Sequence, residues 1–205
     1  MKPIIFNTQM VRANLAGKKT VTRRLVKTKG KGHQYSPISN KAGLIGEQDG
    51  IYLWEHDGVT YPIKAPYAPG DILYVRETCA ELTIGHYLYR AFPGAGKEPE
   101  KQDEALAKLG LKWCPSIHMP KTAARIFLRI KAVRPEHLFD MSSDDALAEG
   151  IESDYEGTTI GVLDAFATLW DSTIMPKDLA TSSWDANPWV WVIEYEQIEK
   201  PADSL

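Results

Sequence analysis

Two lysines, two threonines and two arginines fall within the seven residues Lys18-Lys-Thr-Val-Thr-Arg-Arg. The wider segment, Ala16-Gly-Lys-Lys-Thr-Val-Thr-Arg-Arg-Leu, is not a P-loop, which needs a Gly-x4-Gly-Lys-Ser/Thr run between a strand and a helix. Here the predicted order is helix, turn, strand. If residues 20–26 are extended, Thr20, Thr22 and Arg24 share one face while Val21, Arg23 and Leu25 share the other. Lys19 and Thr22 are an odd number apart, so they meet only because residues 17–19 form a turn. A threonine hydroxyl attacks an amide carbonyl when a neighbouring amine takes its proton, and like charge from Lys18, Arg23 and Arg24 favours the free amine of Lys19. The second feature is Glu149, in the last turn of a helix that Gly150 terminates. A carboxylate there is opposed by the negative end of the helix dipole by roughly 0.3 to 1 kcal/mol. Two readings follow: an exposed glutamate that tolerates the penalty, or an acid retained for chemistry.

The elements that must position these groups follow from local pattern. Thr8 or Asn7 caps a first helix over residues 9–16, with Gly17 as its left-handed terminator and Met10, Val11, Asn14 and Leu15 near one face. Residues 20–26 read as a strand, and 27–50, rich in Lys, Gly, Ser and Asn, as a mobile loop. Asp57-Gly58 marks a hairpin turn between two apolar runs. Strands are also predicted over 71–78, 87–92 and 125–134, the last ended by Pro135. Residues 93–110 form a polar stretch with a charged helical middle. Ser142 and Asp145 approximate a capping box for a short helix reaching Gly150. Val162, Phe166, Leu169 and Trp170 have helical spacing, and residues 188–198 form a last strand with Trp189, Trp191, Ile193 and Tyr195 on one face. Many strands with few helices between them argue for a mixed α/β chain, a small β-barrel with helices at its openings, rather than a doubly wound parallel sheet.

Of the 205 residues, 43% are apolar, 10% aromatic and 25% charged, which excludes a disordered or collagen-like chain. The apolar runs are far shorter than the roughly 18 to 20 residues a membrane helix needs, and the N-terminus lacks a signal-peptide core, so a soluble, cytoplasmic protein is expected. The net charge of −3 is unevenly spread: residues 1–46 carry ten Lys or Arg and no acid. Such a block either draws in a polyanion or is a solvated lysine-rich surface. Cys79 and Cys114 show no Cys-x-x-Cys spacing and are expected to be reduced core thiols. The five histidines have no zinc-ligand spacing, so a metal-dependent hydrolase or deaminase is not expected, and no cofactor is implied.

Five segments, taken together and in this order, resemble the ASCH domain of the PUA-like superfamily, in its larger phage and prophage form. They are residues 16–24, Pro69-Gly-Asp-Ile-Leu-Tyr-Val-Arg-Glu-Thr, residues 113–126, Asp144-Asp-Ala-Leu-Ala-Glu-Gly-Ile and Trp184-Asp-Ala-Asn-Pro-Trp-Val-Trp-Val-Ile-Glu. Residues 27–65 and 81–112 then fit as insertions within a single domain. The resemblance implies a PUA-like barrel whose cleft takes RNA or a nucleoside. Small relatives hydrolyse the amide of N4-acetylcytidine with a Lys, a Thr and a Glu; the motifs place these on Lys19, Thr22 and Glu149. Two insertions, the extra Arg23 and the Trp-rich end set this chain apart from them.

With these assignments Thr22 is the nucleophile, Lys19 its base, and Glu149 protonates the leaving amine or activates water. Arg24 or Arg76 steadies the oxyanion. Lys18, Arg23, Arg24, Arg76, Glu77 and His118 are the candidate substrate- or RNA-binding residues. Arg76 and Glu77 could equally be a surface ion pair and His118 a loop-packing residue; Trp189, Trp191 and Tyr195 read more readily as core than as base-stacking residues. Two further readings stand beside the amidohydrolase: a non-catalytic RNA-binding module and a metal-independent ribonuclease.

Overall fold

A computed structural model of the chain describes residues 1–29, 35–38, 41–91, 99–152 and 159–202. Its strands are β1 (Lys2–Ile5), β2 (Val21–Leu25), β3 (Lys27–Lys29), β4 (Tyr35–Pro37), β5 (Gly43–Gln48), β6 (Ile51–His56), β7 (Val59–Lys64), β8 (Ile72–Arg76), β9 (Cys79–Thr83), β10 (His86–Tyr89), β11 (Phe127–His137) and β12 (Trp189–Ile198). The helices are α1 (Thr8–Leu15), α2 (Pro99–Lys108), α3 (Ser143–Ala148), α4 (Thr159–Ser172) and α5 (Leu179–Ser182). The architecture is mixed α/β and rich in strands. No described helix is long and apolar enough to cross a membrane.

The chain divides into two compact units, one of residues 1–20, 70–129 and 195–205, the other of residues 21–69 and 130–194. In the first, β8 has β1 parallel on one side and the start of β11 antiparallel on the other, with Tyr74 opposite both Pro3 and Phe127. β9 and β10 form a separate hairpin. Tyr74, Cys79, Met119, Ala123, Ala124 and Phe127 make one apolar cluster of this unit. In the second unit, β2 pairs antiparallel with β12, Thr22 opposite Ile193 and Arg23 opposite Val192. Its core joins these strands to α3 and α4 through Val21, Ala146, Val162, Phe166, Val190 and Val192.

The main sheet has the order β1-β8-β11-β12-β2 and the smaller ones are β3-β4, β5-β6-β7 and β9-β10. The expected closed barrel is therefore not found among the described strands, because β1 and β2 each have a neighbour on one side only. The reading of residues 27–50 as a mobile loop also needs correction where those residues are described. Residues 27–29 and 35–37 pair with each other, and β5 pairs with β6 with Leu44 opposite Trp54. Lys- and Gly-rich composition is a poor strand former, but here a neighbouring strand satisfies the backbone. Residues 30–34 and 39–40 lie outside the described residues. Pro135 does not end its strand either; β11 continues to His137, and a residue without an N–H is tolerated where no ladder bond is required of it. Only residues 127–129 pair with β8.

Other local readings match the structure. Asn7 accepts the Met10 amide at 2.8 Å as the cap of α1, and Gly17 adopts φ of 69° beyond its end. Asp57 (φ 51°) and Gly58 (φ 74°) make the left-handed turn between β6 and β7. Trp191 and Tyr195 are core residues and Trp189 is half-buried. Trp54, wholly buried, meets Trp191 and Trp189 edge-on at 5.7 and 6.0 Å, so the segment read as an insertion supplies core to the second unit.

Candidate functional site

The turn at residues 17–19 is built by the end of α1. The amides of Lys18 and Lys19 both donate to the Ala13 carbonyl, at 2.9 and 3.2 Å, and the Gly17 amide to that of Asn14 at 2.9 Å. This wraps the chain back on the helix before β2 begins. Lys19, in the first unit, is buried, with its ammonium 5.5 Å from the centre of the Phe6 ring. Lys18 is exposed.

In the second unit Thr22 is only 1% exposed, and its hydroxyl has no hydrogen-bond partner among the described residues. A buried hydroxyl with nothing to bond is costly, by roughly 1 to 3 kcal/mol, and a native fold that keeps one generally has a use for it. Val21, Thr22 and Arg23 are all buried, so β2 is covered on both faces and the alternation of its side chains does not separate a wet face from a dry one.

Arg23 is where the structure departs furthest from the sequence reading. Its side chain is 1% exposed and lies among carboxylates: Nη1 donates to Glu149 Oε1 at 3.4 Å, and Nη2 is 3.5 Å from Asp145 Oδ1 and 3.9 Å from Glu136 Oε2. A guanidinium so enclosed is not presented to a polyanion; it ties β2 to both ends of α3. Neither Nε nor Nη2 makes a hydrogen bond among the described residues, so the hold is chiefly ionic. Arg24, opposite Trp191, is half-buried.

Glu149 is the C-cap residue of α3, and Gly150 with φ of 84° follows it. It is buried, which excludes the reading of an exposed glutamate tolerating a small penalty. The helix is short, and its register is set at the other end, where Ser142 Oγ accepts the Asp145 amide at 3.1 Å and Asp145 Oδ2 accepts the Ser142 amide at 3.0 Å and its hydroxyl at 2.7 Å. Asp145 thus caps α3 with one oxygen and faces Arg23 with the other. Burial pushes its carboxyl up, but the hydrogen bonds from Ser142 and the charge of Arg23 outweigh that and hold it below the usual carboxylate value. A carboxylate lowered in the folded state stabilises fully above its unfolded value near ~4, and that contribution drains away as the pH falls. Asp145→Asn is accordingly expected to lower stability by roughly 1 kcal/mol at pH 7, since the carboxyl is partly exposed, and by almost nothing at pH 2.5. Urea unfolding of the two proteins at both pH values measures it.

The first unit holds the other candidates. Glu77, buried, receives Arg125 Nε at 2.8 Å and Nη2 at 2.9 Å in a two-pronged pair, and Arg125 in turn lies 4.0 Å over the Tyr89 ring. The Glu77 amide meets Met119 Sδ at 3.1 Å, and Arg76 Nε donates to the Met119 carbonyl at 3.0 Å. Arg76 and Glu77 are therefore not paired with each other by these bonds; both are fastened to the segment after His118. His118 itself lies exposed on a single 3-10 turn, residues 116–118.

Asp145, Glu136 and Arg125 were not singled out from the sequence. Asp145 was legible only as a cap, and Arg125 only as one of several basic residues on an alternating strand. Among the described residues no group of three or more His, Cys, Asp or Glu side chains is arranged to hold a metal ion. Comparison with protein-family models, with curated proteins and with solved structures finds no match for this chain.

Proposed function

We propose that this chain is an ASCH-type, PUA-like domain that binds RNA or a modified nucleoside and hydrolyses an N-acylated one, of the N4-acetylcytidine kind, through Lys19, Thr22 and Glu149. The observation that carries the reading is the buried hydroxyl of Thr22, without a hydrogen-bond partner among the described residues, on a strand whose next residue, Arg23, contacts Glu149 at 3.4 Å. A nucleophile in the resting protein has no need of a tight partner, and catalytic hydrogen bonds commonly tighten only when substrate is present.

In the proposed reaction Thr22 Oγ adds to the acyl carbonyl and its proton passes to the Lys19 amine. Collapse of the adduct breaks the C–N bond, with the Lys19 ammonium giving the proton it took from Thr22 to the departing exocyclic amine. Water, deprotonated by the Glu149 carboxylate, then cleaves the threonyl ester and releases acetate, and that proton passes from Glu149 to the Thr22 oxygen. Protons balance across the two halves, and no redox partner enters. Lys19, buried beside Phe6, is the amine that takes the Thr22 proton. Arg23 holds the acid in place rather than binding substrate, so oxyanion stabilisation falls to Arg24 or Arg76.

The test is incubation of the purified chain with N4-acetylcytidine and with acetylated RNA, following acetate release. Turnover that Thr22→Ala and Lys19→Met each reduce by about a thousandfold or more supports the proposal. Salt-sensitive RNA retention without acetate release assigns the non-catalytic binding reading instead, and strand scission indifferent to Thr22 assigns the ribonuclease.

A further inference from the structure

The two cysteines lie 35 positions apart in sequence yet face each other directly. Cys79, the first residue of β9, and Cys114 form an antiparallel bridge in which each amide donates to the other's carbonyl, at 3.2 and 2.7 Å. A pair that exchanges both hydrogen bonds has its Cα atoms about 5.5 Å apart, within the range a disulfide spans and near its commonest value. Both thiols are free, and the Cys114 thiol donates to the Pro115 carbonyl at 3.6 Å. They differ in access: Cys79 is buried and Cys114 is partly exposed.

From this geometry we infer that Cys79 and Cys114 are a reversible oxidation site that closes to an intramolecular disulfide when the protein meets a peroxide. Cys114, the accessible thiol, attacks the peroxide; its sulfur is oxidised to the sulfenic acid, the O–O bond breaks and water leaves. The Cys79 sulfur then displaces hydroxide from that sulfenic acid, forming the S–S bond, and the Cys79 proton departs in a second water. Two thiols give up two electrons and the peroxide takes them. Burial, and next the neighbouring Cys114, raise the Cys79 thiol to about 11, which slows closure and protects the pair until an oxidant is present. The consequence is mechanical. Cys114 opens the segment that ends in Met119, the residue fastened to Arg76 and Glu77, so the new bond staples that segment to the strand following them.

The experiment treats the folded, full chain with millimolar hydrogen peroxide and measures intact mass, thiol alkylation and thermal unfolding. The expected result is a monomer lighter by about 2 Da that resists alkylation at both cysteines, reverts with dithiothreitol, and unfolds some 5 °C or more higher. Peptide mapping joins residues 79 and 114. In Cys79→Ser, oxidation stops at Cys114 as added oxygen. The inference is overturned if both thiols of the treated wild type remain open to alkylation after unfolding, or if Cys114 accumulates as sulfinic acid or intermolecular dimer with Cys79 untouched. The readout does not depend on acetate release, so it stands or falls apart from the hydrolase proposal.

Discussion

Thr22→Val is expected to leave a protein at least as stable as the wild type and without hydrolytic activity. Valine matches threonine in shape, and the group it removes is a hydroxyl that is buried with no partner among the described residues. Such a hydroxyl has lost its water without recovering a bond, so replacing it with a methyl returns up to about 1 kcal/mol. Turnover should fall by about a thousandfold or more, because a covalent route without its nucleophile leaves only binding and polarisation. Thr22→Ser keeps the oxygen and should keep measurable activity. Urea midpoints and acetate release on the three proteins are the measurements. A Thr22→Val protein destabilised by 2 kcal/mol or more would mean the hydroxyl is bonded to a bound water and serves the fold.

Arg23→Gln should have the opposite character, with a large loss of stability of about 3 kcal/mol at neutral pH. Removing one partner of a buried ion pair costs roughly 3 to 5 kcal/mol, because the other charge stays in low dielectric with less to offset it. The lower end applies here, since Asp145 and Glu136 are 31% and 23% exposed and water screens them. Adding Glu149→Gln to that variant removes a charge and should recover part of the loss, about 1 kcal/mol or more, as coupled neighbours do. The deficit should also narrow as the pH falls through the carboxylate range, where protonated acids no longer need a cation. Equilibrium unfolding of wild type, the two single variants and the double gives the coupling directly. Additive effects would remove the assignment of Arg23 as the residue that positions α3.

What could be read in advance was whatever local chemistry decides. The Asn7 cap, the Gly17 terminator, the Asp57-Gly58 turn and the Ser142–Asp145 box are each settled within five residues, and each is present. The burial of Arg23 was less accessible, though one sign was there: alternation places it on the face of Val21 and Leu25, an apolar setting in which a charge must find acids. Which acids could not be read, because Glu149, though singled out by its place in a helix, lies 126 positions away and no local pattern announces the pairing. The Glu77–Arg125 pair, 48 positions apart, was invisible for the same reason. Lysine and glycine content misdirected the reading of residues 27–50, where pairing with a neighbouring strand overrides weak propensity. Proline content misdirected the reading of β11, whose far half is not paired to β8.

The register of β2 against β12 has a bearing on how the chain is made. Among the described strands, Val21 to Leu25 pair with residues 190–194, some 165 positions further along the chain. Ribosomes add about 5 to 20 residues each second, so roughly ten seconds or more separate the emergence of the threonine strand from that of its partner. Closing so long a loop is slow compared with forming a local hairpin, and the acid-bearing helix also appears before the strand that completes the sheet. The nascent chain therefore carries Val21 and Leu25 without their β12 partners while the residues between them are made, and this part of the sheet closes in a single event once residues 190–194 emerge.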